Sequence, residues 1–137
     1  MPFELRVVSV EQSLFEGEAD FLVAIGADGE LGVLPHHAPL LTTLRPGPLT
    51  IRRDGEEQVL FVGGGFLEVL PERVTVLADV AERAEDIDEA RAEDARRQAQ
   101  ERLAGQLPPA EQAEMEVILA IAEARLRLAR IRRQRGP

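Results

Sequence analysis

The feature that most constrains this chain is an abrupt change of composition near residue 80. Glycine and proline occur throughout the first 80 residues but are absent from residues 81–104, where alanine, glutamate, arginine and glutamine dominate. Glycine and proline mark turns, whereas the residues that replace them favour helices. The sequence therefore predicts a β-rich domain in residues 1–84 and a helical domain in residues 85–137.

Short strands separated by turns are predicted in the first domain. Phe3, Leu5 and Val7 alternate with polar neighbours, which is the period of a half-buried strand. The continuous apolar run Phe21–Ile25 predicts a strand buried on both faces. Asp54-Gly55 predicts a hairpin turn, because glycine accepts positive φ. Strands that recur at this spacing indicate a sandwich or a barrel. The predicted strands are residues 3–7, 13–16, 21–25, 32–34, 40–44, 49–52, 58–62, 66–70 and 74–78.

Two helices are predicted in the second domain. Asp86 or Asp88 can cap the first helix, which should end near Gly105. Pro108-Pro109 prevents its continuation and favours a new start, so the second helix should span about residues 110–133. A connection this short implies an antiparallel hairpin.

The second helix carries two apolar stripes, and the first helix is too poor in apolar residues to cover both. The surplus predicts a contact with the β-rich domain or with another protein. The alternative is that both stripes are buried within the monomer. The stripes are Val117, Ile121, Ala124, Leu128 and Ile131, and Met115, Ile118 (or Leu119), Ala122, Leu126 and Ala129.

The charge of the chain is unevenly distributed. The net charge is −9, yet the last 13 residues contain six arginines and no acid. A helix C-terminus favours one or two cations, not six. An acidic partner surface explains the excess better than nucleic acid, because the rest of the chain is acidic. We call these arginines the basic end: Arg125, Arg127, Arg130, Arg132, Arg133 and Arg135.

Several kinds of site are excluded or disfavoured. There is no cysteine, so disulfides and thiolate zinc sites are excluded. Gly63–Gly65 is not a phosphate-binding P-loop, because the chain has no lysine, and it instead predicts a turn or bulge with close backbone approach. His36 and His37 are adjacent and should point in different directions, which favours a partner contact or simple solvation over a metal site.

Neither a membrane span nor a secretory signal is found in the sequence. No apolar run approaches the about 20 residues that a span requires. The N-terminus lacks a basic start followed by an apolar stretch. We therefore expect a cytosolic chain without direct membrane insertion, able to act as a peripheral partner on a membrane.

Asp88 and Arg91 stand three residues apart at the start of the first helix and should share a face. One interpretation is a helix cap with a local ion pair. The other is a small polar pocket in which Asp88 accepts a hydrogen bond from an amino group and Arg91 binds phosphate.

Four segments together resemble one known family. Residues 29–40 (GELGVLPHHAPL) resemble the signature loop of the epsilon subunit of bacterial F-type ATP synthase, which is called delta in mitochondria. Residues 63–69 and 74–78 resemble its next block, and residues 87–92 (IDEARA) resemble its nucleotide motif. Order and spacing agree over nearly the whole chain.

The resemblance implies a mainly β, α+β fold: a ten-stranded antiparallel β-sandwich followed by an antiparallel two-helix hairpin. It implies a non-catalytic subunit of the central stalk, which couples proton-driven rotation to ATP synthesis. The implied partners are the gamma subunit, the c-ring and the beta and alpha subunits, in a peripheral complex on the cytoplasmic face of the bacterial plasma membrane. The family's hairpin either folds against the sandwich or extends to the catalytic head and inhibits ATP hydrolysis.

The resemblance also implies contacts residue by residue. Glu30 and His37 would face the c-ring. No cofactor is required, but ATP would be a regulatory ligand of the folded hairpin, and Glu123 stands where some members carry an arginine for it. The implied ATP-binding residues are Ile87, Asp88, Arg91, Ala92 and Arg127. The implied contacts with the catalytic head are Arg125, Arg130, Arg132 and Arg133.

Overall fold

The computed structural model describes residues 1–135. The chain divides into two compact units, and the boundary between them in the sequence lies between Ala84 and Glu85. The first unit consists of strands and the second of helices. Within residues 1–135, no helix combines the length and the apolar character that crossing a membrane would require.

Residues 1–84 form ten strands that join in one sheet. The strand order is β10-β7-β6-β3-β5-β8-β9-β1-β2, and β4 pairs with β3. The pairing of β1 with β9 is parallel, and the other pairings are antiparallel. The strands are β1 (Phe3–Ser9), β2 (Ser13–Ala19), β3 (Phe21–Gly26), β4 (Gly29–Val33), β5 (Leu40–Leu44), β6 (Gly47–Arg53), β7 (Glu56–Val62), β8 (Gly65–Val69), β9 (Arg73–Ala78) and β10 (Ala81–Arg83).

The sheet curls around one aliphatic core, because its edge strands β2 and β10 contact each other. The alternation predicted for β1 is confirmed: Phe3, Leu5 and Val7 are buried and the residues between them are exposed. The mainly β sandwich predicted for this part is therefore confirmed. The tenth strand, β10, has only three residues and was not predicted individually.

The prediction that β3 is buried on both faces is wrong. Leu22 and Ala24 are buried, whereas Phe21 and the other residues of the opposite face are only partly buried. The Arg52 guanidinium lies over the Phe21 ring, 5.4 Å from its centroid. An apolar run alone does not distinguish a strand with one core face from a strand with two.

Glycine is required at the two turns that the sequence singled out. Asp54 and Gly55 both have positive φ, 52° and 80°, as a tight hairpin between β6 and β7 requires. At Gly65, φ is +135° and an added Cβ would lie 2.1 Å from the carbonyl oxygen of Leu77. The predicted close backbone approach in Gly63–Gly65 is therefore confirmed.

The second unit contains α1 (Glu89–Ala104) and α2 (Pro109–Arg135), preceded by a short 3₁₀ turn (Ala84–Asp86). Asp88 is the N-cap of α1, and Gly105 occupies its C-cap with φ of −89°, so that cap does not need glycine's conformational freedom. The apolar stripes of α2 are buried only along the middle of the helix. Leu126 and Leu128 are 2% and 7% exposed, while Val117 near the start is 58% exposed.

Candidate functional site

The basic end lies beside the acidic start of the first helix, because α1 and α2 are antiparallel. Glu89 and Glu93 are four residues apart in α1 and share one side of that helix. Glu85 precedes them by a further four residues, in the 3₁₀ turn. These carboxylates meet the last turns of α2, so the positive end of the sequence has negative partners within the same hairpin.

The ion pairs in this cluster are well formed. Nη1 of Arg133 donates to both carboxylate oxygens of Glu89, at 3.1 and 3.0 Å. Arg130 bridges two acids, with Nη2 at 3.1 Å from Glu93 and Nε at 3.5 Å from Glu89. Arg132 Nη1 lies 3.4 Å from Glu85. The side chains are between 32% and 66% exposed, so each pair alone stabilises the hairpin only weakly.

Glu93 is held by a second cation from its own helix. Arg96 donates a hydrogen bond to the Glu93 carboxylate. This bond holds the pKa of Glu93 below its ordinary value of 4.5, with Arg130 adding to the effect and partial desolvation opposing it. The same bond raises the pKa of Arg96. Glu93 therefore stays charged and oriented towards α2.

Three of the predicted contacts with the catalytic head lie in this cluster, namely Arg130, Arg132 and Arg133. The fourth, Arg125, is half-buried, and the side chain of Arg135 lies outside the described part of the chain. Sequence reasoning missed the acids of α1 as partners. The usable signal was the four-residue spacing of Glu85, Glu89 and Glu93 at the start of an antiparallel hairpin.

The predicted nucleotide residues surround the first turn of α1. The Asp88 side chain accepts a hydrogen bond from the Arg91 backbone N–H at 3.1 Å. The Ala92 N–H donates to the Asp88 carbonyl at 3.0 Å, and Ala92 is 3% exposed. Ile87 is partly buried and the Arg91 side chain is exposed. The predicted cap at Asp88 is present, whereas a side-chain ion pair between Asp88 and Arg91 is not found within residues 1–135.

Arg127 lies in a different place from these four residues. It lines a small cleft of about 280 Å³ together with Arg96, Glu123, Leu126 and Arg130. None of the four residues of the nucleotide motif lines that cleft. Because three arginines face one glutamate there, the cleft is basic, and a joint role of Arg127 with Asp88 stays a prediction.

Glu30 and His37 lie towards opposite ends of β4. Glu30 is exposed and pairs with Ile25 beside the β3–β4 turn. His37 lies in the loop after β4, where its ring Nδ1 is 2.6 Å from the Ala38 carbonyl oxygen. The neighbouring His36 has φ of 63°, so the loop turns sharply there. Within residues 1–135, no group of three His, Asp or Glu side chains is placed to hold a metal ion.

An exposed apolar row crosses the outer face of the sheet, and sequence reasoning did not find it. Phe66 on β8 pairs in register with Leu77 on β9, and both are about half exposed, at 51% and 55%. Leu41 on the adjacent β5 is 70% exposed and lies diagonally from Phe66, because its in-register partner on β8 is Glu68. We call Leu41, Phe66 and Leu77 the apolar row. Side chains this large, exposed side by side, are typical of a surface that contacts another protein.

Two family models match consecutive parts of the chain. The model described as "ATP synthase, Delta/Epsilon chain, beta-sandwich domain" matches residues 2–84. The model described as "ATP synthase, Delta/Epsilon chain, long alpha-helix domain" matches residues 85–130. The boundary between the two matches coincides with the boundary between the strand unit and the helical unit.

Curated relatives match over nearly their whole length. The ATP synthase epsilon chain of Acidithiobacillus ferridurans is 51% identical over 136 residues, which are 99% of this chain and 96% of that protein. The ATP synthase epsilon chain of Herpetosiphon aurantiacus is 44% identical over 135 residues, which are 98% of this chain and 99% of that protein.

Two solved structures share the fold. A chain of the Euglena gracilis mitochondrial ATP synthase (OSCP/F1/c-ring, rotational state 1) has a TM-score of 0.78 at 22% identity, covering 90% of this chain and 78% of that one. A chain of the Tetrahymena thermophila mitochondrial ATP synthase (central stalk/c-ring) has a TM-score of 0.72 at 12% identity, covering 94% and 97%. At these identities the likeness shows the fold alone.

Proposed function

The chain belongs to the ATP synthase delta/epsilon family, and on this premise we propose that it is the non-catalytic epsilon-type subunit of the central stalk of a bacterial F-type ATP synthase. The observation that carries the proposal is the match of both family models, end to end, over residues 2–130. Added to a complex that lacks its own epsilon subunit, the chain should restore proton-driven ATP synthesis. Failure to bind that complex would contradict the proposal, and so would ATP turnover by the purified chain alone.

The sandwich is the part that we propose to hold the chain on the stalk. The apolar row gives it exposed aromatic and aliphatic side chains for contact with the gamma subunit, and anchors of this kind dominate many interfaces. Glu30 is exposed beside a tight turn and His37 lies in the following loop, which suits polar contacts with c-ring loops. We therefore propose that the chain works in a peripheral complex on the cytoplasmic face of the plasma membrane.

The hairpin is the part that we propose to restrain ATP hydrolysis. Arg125, Arg130, Arg132 and Arg133 would meet acidic groups of the beta and alpha subunits when the hairpin extends. Support comes from the concentration of cations in the last turns of α2, with no acid among the last 13 residues. The double variant Arg130→Ala/Arg133→Ala should raise hydrolysis by the assembled complex. Arg97→Ala is the control, because the ion pair of Arg97 is with Asp94 of its own helix.

ATP is the proposed regulatory ligand, bound at the start of α1. Ile87 supplies partly exposed apolar contact, Asp88 a carboxylate and Arg91 an exposed guanidinium suited to phosphate, whereas Ala92 is buried. Calorimetry of the full chain at millimolar ATP should detect binding that Arg91→Ala abolishes and Arg97→Ala preserves. The same calorimetry with Arg127→Ala tests separately whether the cleft that Arg127 lines contributes to ATP binding. Absence of heat from the unaltered chain would contradict regulatory binding while leaving the subunit assignment intact.

A further inference from the structure

Three arginines of the basic end already have acidic partners within the hairpin. In the described structure Arg130, Arg132 and Arg133 already contact carboxylates of Glu85, Glu89 and Glu93. Glu89 precedes Arg133 by 44 residues, so these contacts exist only when the two helices lie side by side.

This pairing occupies part of the donor set of each guanidinium group. One nitrogen of Arg133 contacts both oxygens of Glu89, and Arg130 spans Glu89 and Glu93 with two different nitrogens. A guanidinium has a fixed, planar set of donors, so the N–H groups directed at one carboxylate are not available to another. Pairing within the hairpin therefore competes with pairing to any acidic surface outside it.

Glu93 is the best-positioned member of the set. Arg96 binds its carboxylate from the same helix, which leaves the second oxygen, Oε2, to accept from Arg130 of α2. A carboxylate fixed in this way loses less side-chain entropy when the second arginine binds, so the pair is stronger than an isolated surface pair.

We propose that Glu89 and Glu93 of α1 form a charge latch with Arg130 and Arg133 of α2, which keeps the hairpin closed and withholds these arginines from acidic partners. Opening the hairpin breaks the latch and presents both guanidinium groups at once. The latch is a property of the hairpin itself, and only its effect on ATP hydrolysis rests on the function proposed above.

The latch can be tested in the full chain by measuring the distance between α1 and the end of α2. The chain has no cysteine, so Ala90→Cys and Gln134→Cys, both at exposed positions, accept a pair of nitroxide labels selectively. Glu89→Gln should increase the open population about two- to fivefold, the factor that corresponds to a surface ion pair. Asp94→Asn removes the same charge from α1 but affects a pair within that helix, the one with Arg97, so its distance distribution should match that of the parent.

A double-mutant cycle tests the pairing independently of the labels. Glu89→Gln, Arg133→Gln and the combination of both are compared by urea unfolding of the full chain. The second substitution should lower the free energy of unfolding by less when the first substitution is already present. The latch would be overturned if the two substitutions lowered the free energy of unfolding additively. It would also be overturned if Glu89→Gln and Asp94→Asn gave equal distance distributions.

Measurements of ATP hydrolysis by the assembled complex test the proposed inhibition separately from the latch. Glu89→Gln frees arginines and should strengthen inhibition, whereas Arg133→Gln removes one and should weaken it. A broader distance distribution with unchanged hydrolysis supports the latch and contradicts the inhibitory function. Weaker inhibition by Arg133→Gln, together with an unchanged distribution in Glu89→Gln, overturns the latch and leaves the inhibitory function standing.

Discussion

Nη1 of Arg133 lies 3.1 and 3.0 Å from the two carboxylate oxygens of Glu89, which is 44 residues earlier in the chain. This contact joins the end of the second helix to the first turn of the first. It shows that an arginine-rich terminus, which in the sequence indicates an external acidic partner, has an internal one in the closed hairpin.

Low pH should weaken the contribution of Glu93 to the stability of the folded chain. Its pKa lies below the ordinary value of 4.5, chiefly because Arg96 donates a hydrogen bond to the carboxylate. A depressed pKa means that the stabilisation is fully present above 4.5 and is lost as the pH falls through the lowered value. The difference in unfolding free energy between the parent and Glu93→Gln should therefore be present at about pH 7 and shrink as the pH falls through the lowered pKa. A difference that does not change with pH would contradict this.

Removing the helix cap at Asp88 should destabilise the hairpin. The Asp88 side chain accepts from the Arg91 N–H, one of the donors that a helix start leaves without a partner. Asp88→Ala should cost about 1 kcal/mol in urea unfolding of the full chain. Asp88→Asn keeps an acceptor at the cap and should cost much less. Equal losses for the two variants would show that the charge of Asp88, not its capping bond, is what matters.

The sandwich should not tolerate a side chain at Gly65. An added Cβ would lie 2.1 Å from the Leu77 carbonyl oxygen, and φ there is +135°. Gly65→Ala should therefore destabilise the chain by at least about 3 kcal/mol or prevent its folding. Gly17→Ala is the control, because the nearest atoms to its Cβ would be side-chain atoms of Arg53 and Phe15 at 3.8 Å, an ordinary contact distance. If the two variants unfold alike, the account of the β8–β9 packing is wrong.

The apolar row should matter for binding and not for folding. Phe66 is 51% exposed, so Phe66→Gln should leave the melting temperature nearly unchanged. Its affinity for the gamma subunit, measured by surface plasmon resonance, should fall about tenfold. Val117→Gln replaces an equally exposed apolar residue of α2 and should leave that affinity unaltered. Similar affinities for the two variants would place the gamma contact elsewhere.

Local chemistry made most of the fold predictable. Glycine and proline mark the turns between strands, and Asp88 is a good cap whatever surrounds it. The strand β10 was missed because three residues are too few for a period. The burial of β3 was misjudged because a continuous apolar run does not reveal which face meets the core.

The site was less predictable because it depends on contacts between distant residues. Phe66 and Leu77 become neighbours only through the register of β8 with β9. Glu89 meets Arg133 only once the hairpin closes. The four-residue spacing of Glu89 and Glu93 is enough to assign both to one side of a helix. The matching turn of α2 depends on where the connection ends, and sequence alone locates helix limits only to within a few residues.

The most direct test of the account compares ATP hydrolysis by complexes assembled with the full chain and with residues 1–84 alone. The first unit ends at Ala84 and has its own core, so the shortened chain should fold and bind the stalk. We expect faster hydrolysis with residues 1–84, because the helical hairpin that restrains the enzyme is missing. Equal rates, with both chains fully incorporated, would contradict the proposed regulatory function of the hairpin.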